Sequence, residues 1–267
     1  MVSPHTLSAE EVSAKYSLHL PTVKEAYLNL RKENALILAF SGKIAAGKDS
    51  IAPLAAQKLN YSNSKLNTDS FGANLKDELN QVISKVREFE APRDAAWHIA
   101  SIHGVPVDEA QVVVNFIYPE IQSGQLRRAE DRTVGSRAGL QYWATEIRRS
   151  QDPLYWTKPV VARLMENAAE GISTRITDTR FFTEVWGVLD SGGWVIRLDV
   201  SPEEQSKRVF ERDGIEISDR ARNHVSEIEL DNFEHFSVRI RTDDYNSAES
   251  AALAAAHGLN AVSSTLF

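Results

Sequence analysis

The sequence predicts an α/β fold of the P-loop three-layer type. It has a parallel sheet of about five strands with helices on both faces, a helical insertion and an arginine-bearing lid. Three observations lead there. An apolar run, Ala35 to Phe40, is followed by Gly42, Gly47 and Lys48 in G-x-x-x-x-G-K spacing. Strand-like runs alternate with helix-like runs at the two ends of the chain, a pattern that pairs strands in parallel with crossover helices. Between them lies a long section with helical periodicity and few strand signals. The chain is expected as one domain, 1–267, with an N-terminal extension (1–34), an insertion (77–135) and a lid region (203–225).

Taken in order, Ser8 with Glu11 and Thr22 with Glu25 have capping-box spacing, so Glu10 to Glu33 reads as two short helices broken at Pro21. This extension is expected to pack on the core or on a second copy, which makes a homodimer an expectation. The first strand follows, then the glycine-flanked loop and a helix from Ile51 to Leu59, with Pro53 early enough to loosen its second turn. Lys65 to Thr68 reads as a second short strand ending at Asp69. Asp77 to Phe89 places Leu79, Val82, Ile83 and Val86 on one helical face. Asp94 to His103 and Asp108 to Ile121 read as helices separated by Gly104 and Pro106, and Gly139 to Arg149 and Trp156 to Ala169 as further helices. Strands return at Thr174 to Thr177, closed by Asp178, and at Trp194 to Val200. Between them Thr183 to Leu189 reads as a helix. Ser201, Pro202 and Glu204 open a helix with cap, first-turn proline and acidic third residue in order. Ser237 to Arg241 is the last strand, and Asn246 with Glu249 caps an alanine-rich helix expected to stop near Gly258.

Composition narrows the function classes. A 25% charged and 42% hydrophobic chain is ordinary for a globular protein. No apolar run reaches membrane-spanning length, and MVSPHTLSAEE lacks the basic-then-apolar order of a signal peptide. Absence of cysteine excludes disulfides and thiolate chemistry and fits a reducing cytoplasm. A net charge of −7 argues against a nucleic-acid track. A local group of arginines at 127, 128, 132, 137, 148 and 149 asks for a smaller anionic partner.

The candidate site begins at the loop. Backbone N–H groups between Gly42 and Gly47 can wrap a diphosphate because little side-chain bulk blocks them, and the next helix offers its N-terminus to the anion. Lys43, Ala45 and Ala46 contribute backbone, and Lys48 reaches the β- and γ-phosphates as a point charge. Asp49 stands where Ser or Thr usually holds Mg²⁺, and Ser50 follows one place later. Asp178, ending a strand in TDTRFF, is a third magnesium candidate, and the ligand stays open among these three. Arg180 suits a phosphate contact, with Glu184 orienting it. In GSRAGLQYWATEIRRSQDPLYW, three- and four-residue steps put Arg137, Gln141 and Arg148 on one helical face, an arginine for phosphate and an amide for a base edge. A solvated face over packed aromatics is the competing reading. Arg208 and Arg212 are four apart and project together, with Arg220 and Arg222 beyond Gly214, which suits a lid over phosphates or an ordinary solvated helix. The histidines have no metal spacing and read as surface or packing residues.

These motifs together resemble the deoxynucleoside monophosphate kinases of bacteriophages, within the P-loop nucleoside monophosphate kinase group. The resemblance is carried by SGKIAAGKDS, SFGANLKDEL, LQYWATEIRR with DPLYW, TDTRFFTEV, GGWVIRLD and HVSEIELDNF, in consistent order from about Leu36 to Thr242. G-K-D in place of G-K-S/T is a family feature. Ala144 departs from it, standing where G-T-E is more frequent, and neither the first thirty-odd residues nor the insertion carries a family motif. The resemblance implies ATP-dependent phosphorylation of a deoxynucleoside monophosphate to its diphosphate, with Mg²⁺. It further implies that Lys48 holds the ATP phosphates and that Asp69, Lys76, Arg137, Gln141, Glu146, Arg149 and Trp156 line the acceptor pocket. Asp178 and Arg180 then stand between the substrates, and Arg208 and Arg212 close as a lid. Two other readings compete: a P-loop kinase of another small phosphate ester such as phosphomevalonate, and a non-catalytic nucleotide-binding switch. The missing N-K-x-D motif counts against a GTPase.

Overall fold

A computed structural model describes residues 35–59, 66–131, 133–214 and 216–265. The two expected N-terminal helices, Lys65, Arg132 and the side chain of Arg220 lie outside the described residues. The described chain forms two compact units, one from the segments up to Ser70 and from Thr157 onward, the other from Phe71 to Trp156.

The first unit holds a five-stranded sheet in the order β2-β3-β1-β4-β5, parallel throughout. Its strands are β1 (Ile37–Gly42), β2 (Leu66–Asp69), β3 (Ser173–Thr179), β4 (Trp194–Asp199) and β5 (Val238–Arg241). β1 is central and every residue of it is buried, which is why it reads as an unbroken apolar run. Its two faces are covered differently. Leu36, Leu38 and Phe40 pack with Ile51, Ala52 and Ala55 of α1 (Lys48–Lys58) and with the alanines of the C-terminal helix. On the other face, a Cβ added to Gly193 would lie 2.7 Å from Ile37 Cγ2 and 2.8 Å from Val188 Cγ1, so the helix Phe182–Asp190 lies close against that side. Helices on both faces of a parallel sheet are the expected α/β arrangement.

The C-terminal helix corrects two expectations. It spans Ala248–Thr265 and runs through Gly258 rather than stopping there. Gly258 is a contact point: a Cβ there would come within 2.9 Å of Val238 Cγ1 on β5. Its cap is Ser247, not Asn246, because Ser247 Oγ accepts the Ser250 N–H at 3.2 Å while Ser250 Oγ accepts the Ser247 N–H at 3.3 Å. Pro53 does not interrupt α1.

Among the described residues the second unit has helices and no strand, and it is wider than the expected insertion. It contains α2 (Gly72–Val86), α3 (Pro92–His103), α4 (Val107–Gln122), α5 (Val134–Gln141) and a π-helical stretch, Tyr142–Arg149. Its core joins the predicted face of α2, Leu79 to Val86, to Ile99, Val113, Ile117, Trp143, Ile147 and Trp156. The π stretch replaces the second half of the continuous helix expected over Gly139 to Arg149. Its wider winding carries side chains off the 3.6-residue period. Arg148 consequently leaves the face of Arg137 and Gln141: Arg137 is exposed, Gln141 half-buried and Arg148 buried.

The remaining helices belong to the first unit: α6 (Thr157–Ala169), α7 (Phe182–Asp190), α8 (Pro202–Asp213), α9 (Asp219–Arg222), α10 (Val225–Ile228) and α11 (Ala248–Thr265). Among the described residues no helix is long and apolar enough to cross a membrane.

Candidate functional site

The strand order puts β1 at a switch in direction. The chain leaves β1 for β2, on the far side of β3, whereas it leaves β3 and β4 toward the opposite edge. Crevices at the carboxyl ends of strands beside such a switch are where parallel α/β sheets take ligands. The loop Gly42 to Gly47 occupies that position.

Two glycines shape the loop. A Cβ on Gly42 would lie 2.5 Å from the Leu198 carbonyl oxygen, so only glycine lets the loop pass β4 this closely. Gly47 sits at φ +86° as the N-cap of α1. Ala45 has φ +60°, a left-handed conformation that is uncommon outside glycine. Lys48 opens α1 and turns back, its Nζ donating to the Gly42 carbonyl at 2.6 Å and the Lys43 carbonyl at 2.7 Å. The side chain is buried. Burial and the Arg180 charge lower its pKa to about 7, Arg197 adds to the lowering, and Glu227 and Asp49 oppose it. Asp49 and Ser50 follow in the first turn, both exposed, and Ala46 is buried beneath the loop.

Four side chains from far along the sequence fasten the loop. Glu227 Oε2 accepts the Ile44 N–H at 2.8 Å, and Gln205 Nε2 donates to the Ile44 carbonyl at 3.1 Å. Arg208 Nη1 donates to the Ala45 carbonyl at 3.3 Å, and Lys43 Nζ pairs with Asp231 Oδ2 at 2.7 Å. Asp231 also takes Arg197 Nη2 at 3.0 Å, and Arg197 Nη1 reaches Ser41 Oγ at 3.1 Å. The two expected lid arginines diverge. α8 is capped as predicted, Ser201 Oγ accepting the Glu204 N–H at 3.3 Å, and Arg208 on it is held by Glu204, Thr242 and the loop. Arg212 instead makes a two-point pair with its neighbour Asp213, at 2.9 and 2.7 Å. That pairing and the nearby Asp49 charge raise its pKa.

β3 brings the next group. Its register against β1 slips between Ile176 and Thr179, where Thr177 and Asp178 stand opposite the single residue Phe40 of β1. This bulge falls on Thr177 and Asp178, so Asp178 lies within a kinked strand rather than just past a regular one. Bulges re-aim side chains in this way. Asp178 Oδ2 accepts the Ser70 hydroxyl at 2.6 Å. Arg180 donates through Nη1 to Glu227 Oε1, and its backbone N–H donates to Glu184 Oε2 at 2.7 Å. Glu184 thus caps α7, also taking the Phe181 N–H at 3.2 Å. Asp69, at the end of β2, is gripped by Arg163 through two bonds of 2.7 and 2.8 Å.

The other residues expected to line an acceptor pocket lie in the second unit. Lys76 and Gln141 are half-buried, Arg137 and Glu146 exposed, and Arg149 buried. Trp156 is in the core, its indole N–H donating to the Ala144 carbonyl at 3.2 Å. With Arg148 and Arg149 buried and Arg127 and Arg128 on the surface around Asp131, the arginine group does not form one exposed patch among the described residues. Arg148 belongs to a network that sequence reasoning missed. Glu78 accepts Arg148 Nε at 3.0 Å, Trp143 Nε1 at 2.8 Å and the Tyr155 hydroxyl at 2.5 Å. The guanidinium carbon lies 5.0 Å from the Trp143 ring centre and 4.9 Å from that of Tyr155. Burial and then the Glu78 hydrogen bond and charge push the Tyr155 pKa up to about 12, while burial and the Arg148 charge lower that of His103.

Among the described residues no three His, Asp or Glu side chains cluster as a ready metal cage. Mg²⁺ needs no such cage, since one or two carboxylates with substrate phosphate oxygens suffice. Asp49, Ser50 and Asp178 are hard oxygen donors of the right kind. Compared with known proteins, the chain matches no family model and no curated protein.

Proposed function

We propose that the chain is an ATP-dependent phosphotransferase, a deoxynucleoside monophosphate kinase, with Gly42 to Ser50 as its P-loop. The observation that carries this reading is Lys48: a buried ammonium group folded back over a glycine-flanked loop at the carboxyl end of the central strand. Its burial makes its charge available at low dielectric to a diphosphate wrapped by the loop. In the reaction an oxygen of the acceptor's monophosphate attacks the γ-phosphorus of ATP, and the bond to the β–γ bridging oxygen breaks, leaving ADP. Such transfers need alignment and charge neutralisation more than a protein nucleophile. Lys48 and Arg180 supply positive charge to the phosphoryl oxygens. Asp49, Ser50 or Asp178 would hold magnesium, which would supply further positive charge to the phosphate chain.

Acceptor recognition is assigned, on the resemblance, to Lys76, Arg137, Gln141, Glu146 and Arg149 of the second unit, whereas Trp156 packs in that unit's core. Arg137 suits the monophosphate and Gln141 a base edge. Purified protein is mixed with Mg-ATP and each nucleoside monophosphate in turn, and the products are separated. Deoxynucleoside diphosphates are expected, and base-free phosphate esters should remain unphosphorylated. A panel with no diphosphate, beside turnover of phosphomevalonate, overturns the assigned substrate. No ATP consumption with any acceptor overturns the kinase reading itself.

A further inference from the structure

Three acids on one short stretch, Glu227, Glu229 and Asp231, each reach a different element of the first unit. Glu229 Oε1 accepts the Phe182 N–H at the start of α7 at 2.8 Å, and Asp231 pairs with Lys43 and Arg197. Glu227 is the buried one. Its two oxygens are divided: Oε2 accepts the Ile44 N–H of the phosphate loop at 2.8 Å, and Oε1 accepts Nη1 of Arg180. One carboxylate thereby ties the loop after β1 to the arginine after β3.

We propose that Glu227 is a positioning residue for phosphoryl transfer, fixing the Arg180 guanidinium against the loop whose lysine neutralises the phosphate chain. This rests on the kinase reading of the same site. A carboxylate suits the task because both oxygens only accept, and both partners only donate. Glutamine has the same shape but must turn an NH₂ toward one of those donors, so it breaks one link whichever way its amide lies. Aspartate is one methylene shorter. Glu227 is 3% exposed and Arg180 29%, so the arginine keeps an open side for an anion while its anchor is buried, and small misplacements of a charge-neutralising group are costly in rate.

The test compares wild type, Glu227→Gln, Arg180→Ala and the double variant. Steady-state kinetics with Mg-ATP and the best monophosphate give kcat and KM separately, and folding is checked by thermal melting. Glu227→Gln is expected to lower kcat at least tenfold while the KM for ATP changes less than threefold. In the Arg180→Ala background the same change should cost less than twofold in kcat, since Glu227 acts through that arginine. A folded Glu227→Gln protein with wild-type kcat overturns the proposal, as does a full tenfold loss added on top of Arg180→Ala. Should Glu227→Gln fail to fold, Glu227→Asp decides by the same readouts. A wild-type protein without kinase activity overturns the functional reading and this proposal with it. An active wild type with an indifferent Glu227→Gln overturns the proposal alone.

Discussion

Lys48 and Arg148 are both buried cations, one in each compact unit, and they are held in opposite ways. Arg148 is answered: a carboxylate accepts its Nε, two aromatic rings sit against its guanidinium plane, and the His103 carbonyl takes Nη1 at 3.0 Å. Lys48 has two carbonyls as its hydrogen-bond acceptors, and its nearest strong electrostatic influence after burial is another cation, Arg180. A carbonyl accepts a proton donor but leaves the net charge uncompensated. The first arrangement consumes a charge within the fold. The second leaves burial and a like charge acting against the ammonium form, which on the proposed reading a bound phosphate chain would favour.

The largest expected effect breaks that pair apart. Lys48→Met keeps the length of the side chain and removes the charge. Turnover should fall on the order of a hundredfold or more. The melting temperature should rise at the same time, by about 2–4 °C for each ~1 kcal/mol of relieved charge burial. The sign follows from linkage. The folded pKa of about 7 lies below that of a free lysine, so the folded state carries the cost of a buried ammonium fully below pH 7. That cost shrinks as pH rises toward the free-lysine value. The rise in melting temperature should therefore be larger at pH 6 than at pH 9. A Lys48→Met protein that is folded, active and no more stable refutes that reading of Lys48.

Arg148→Met should behave in the other direction. It strands Glu78 in a partly buried site with only the Trp143 and Tyr155 donors left. Breaking a buried pair from one side costs about 3–5 kcal/mol. Thermal melting should show that loss as a fall of roughly 6–20 °C. The double change Glu78→Gln with Arg148→Met should recover part of it, because the unpaired charge is gone as well. If Arg148→Met melts like wild type, the network does not stabilise the second unit.

The two cations also differ in how visible they are in the sequence. The placement of Lys48 is legible because it is local: strand, glycines, lysine and helix follow one another within the stretch Ile37 to Lys58. The sheet is legible for a similar reason, since buried parallel strands are short apolar runs. Glu227, Gln205 and Asp231 were not, because they meet the loop from 183, 161 and 188 residues away. HVSEIELDNF stood out only by resemblance, and nothing in an isolated acid says which amide it will reach. Arg148 was misplaced for a different reason. A face drawn at 3.6 residues per turn assumes an α-helix, and the π stretch Tyr142–Arg149 breaks that assumption. Gly258 misled in the same way, since a helix tolerates a glycine where another element packs too close for a side chain.

A smaller effect carries the comparison to two arginines of one helix. Arg208 reaches the Ala45 carbonyl, whereas Arg212 is occupied by Asp213 and is about half exposed. Arg208→Ala should lower kcat by roughly ten- to a hundredfold, as loss of one aimed donor does. Arg212→Ala should lower it by about threefold or less, because its exposed pair is worth little. Equal losses from the two substitutions restore the symmetric lid that their spacing suggests.

The last expected effect reads Lys48 by its proton. Near pH 7 the free protein holds this lysine about half protonated. Bound phosphates favour the ammonium form, because opposite charge at short range raises a lysine pKa. ATP binding above pH 7 should therefore take up a proton, approaching one per nucleotide by about pH 9. Titration calorimetry in buffers of different ionisation enthalpy measures that uptake directly. The apparent affinity for ATP should weaken by about threefold to tenfold between pH 7 and 8, since only the protonated fraction binds well. The groups around Lys48 set the limits of this window. Arg180 and Arg197 push the lysine toward neutrality, Glu227 and Asp49 toward charge. Lys48→Met removes the titrating group, so both the proton uptake and the pH dependence should vanish in that variant. ATP binding that takes up no proton at pH 8 places the lysine fully charged in the free protein, and the distinction from Arg148 then lies in geometry alone.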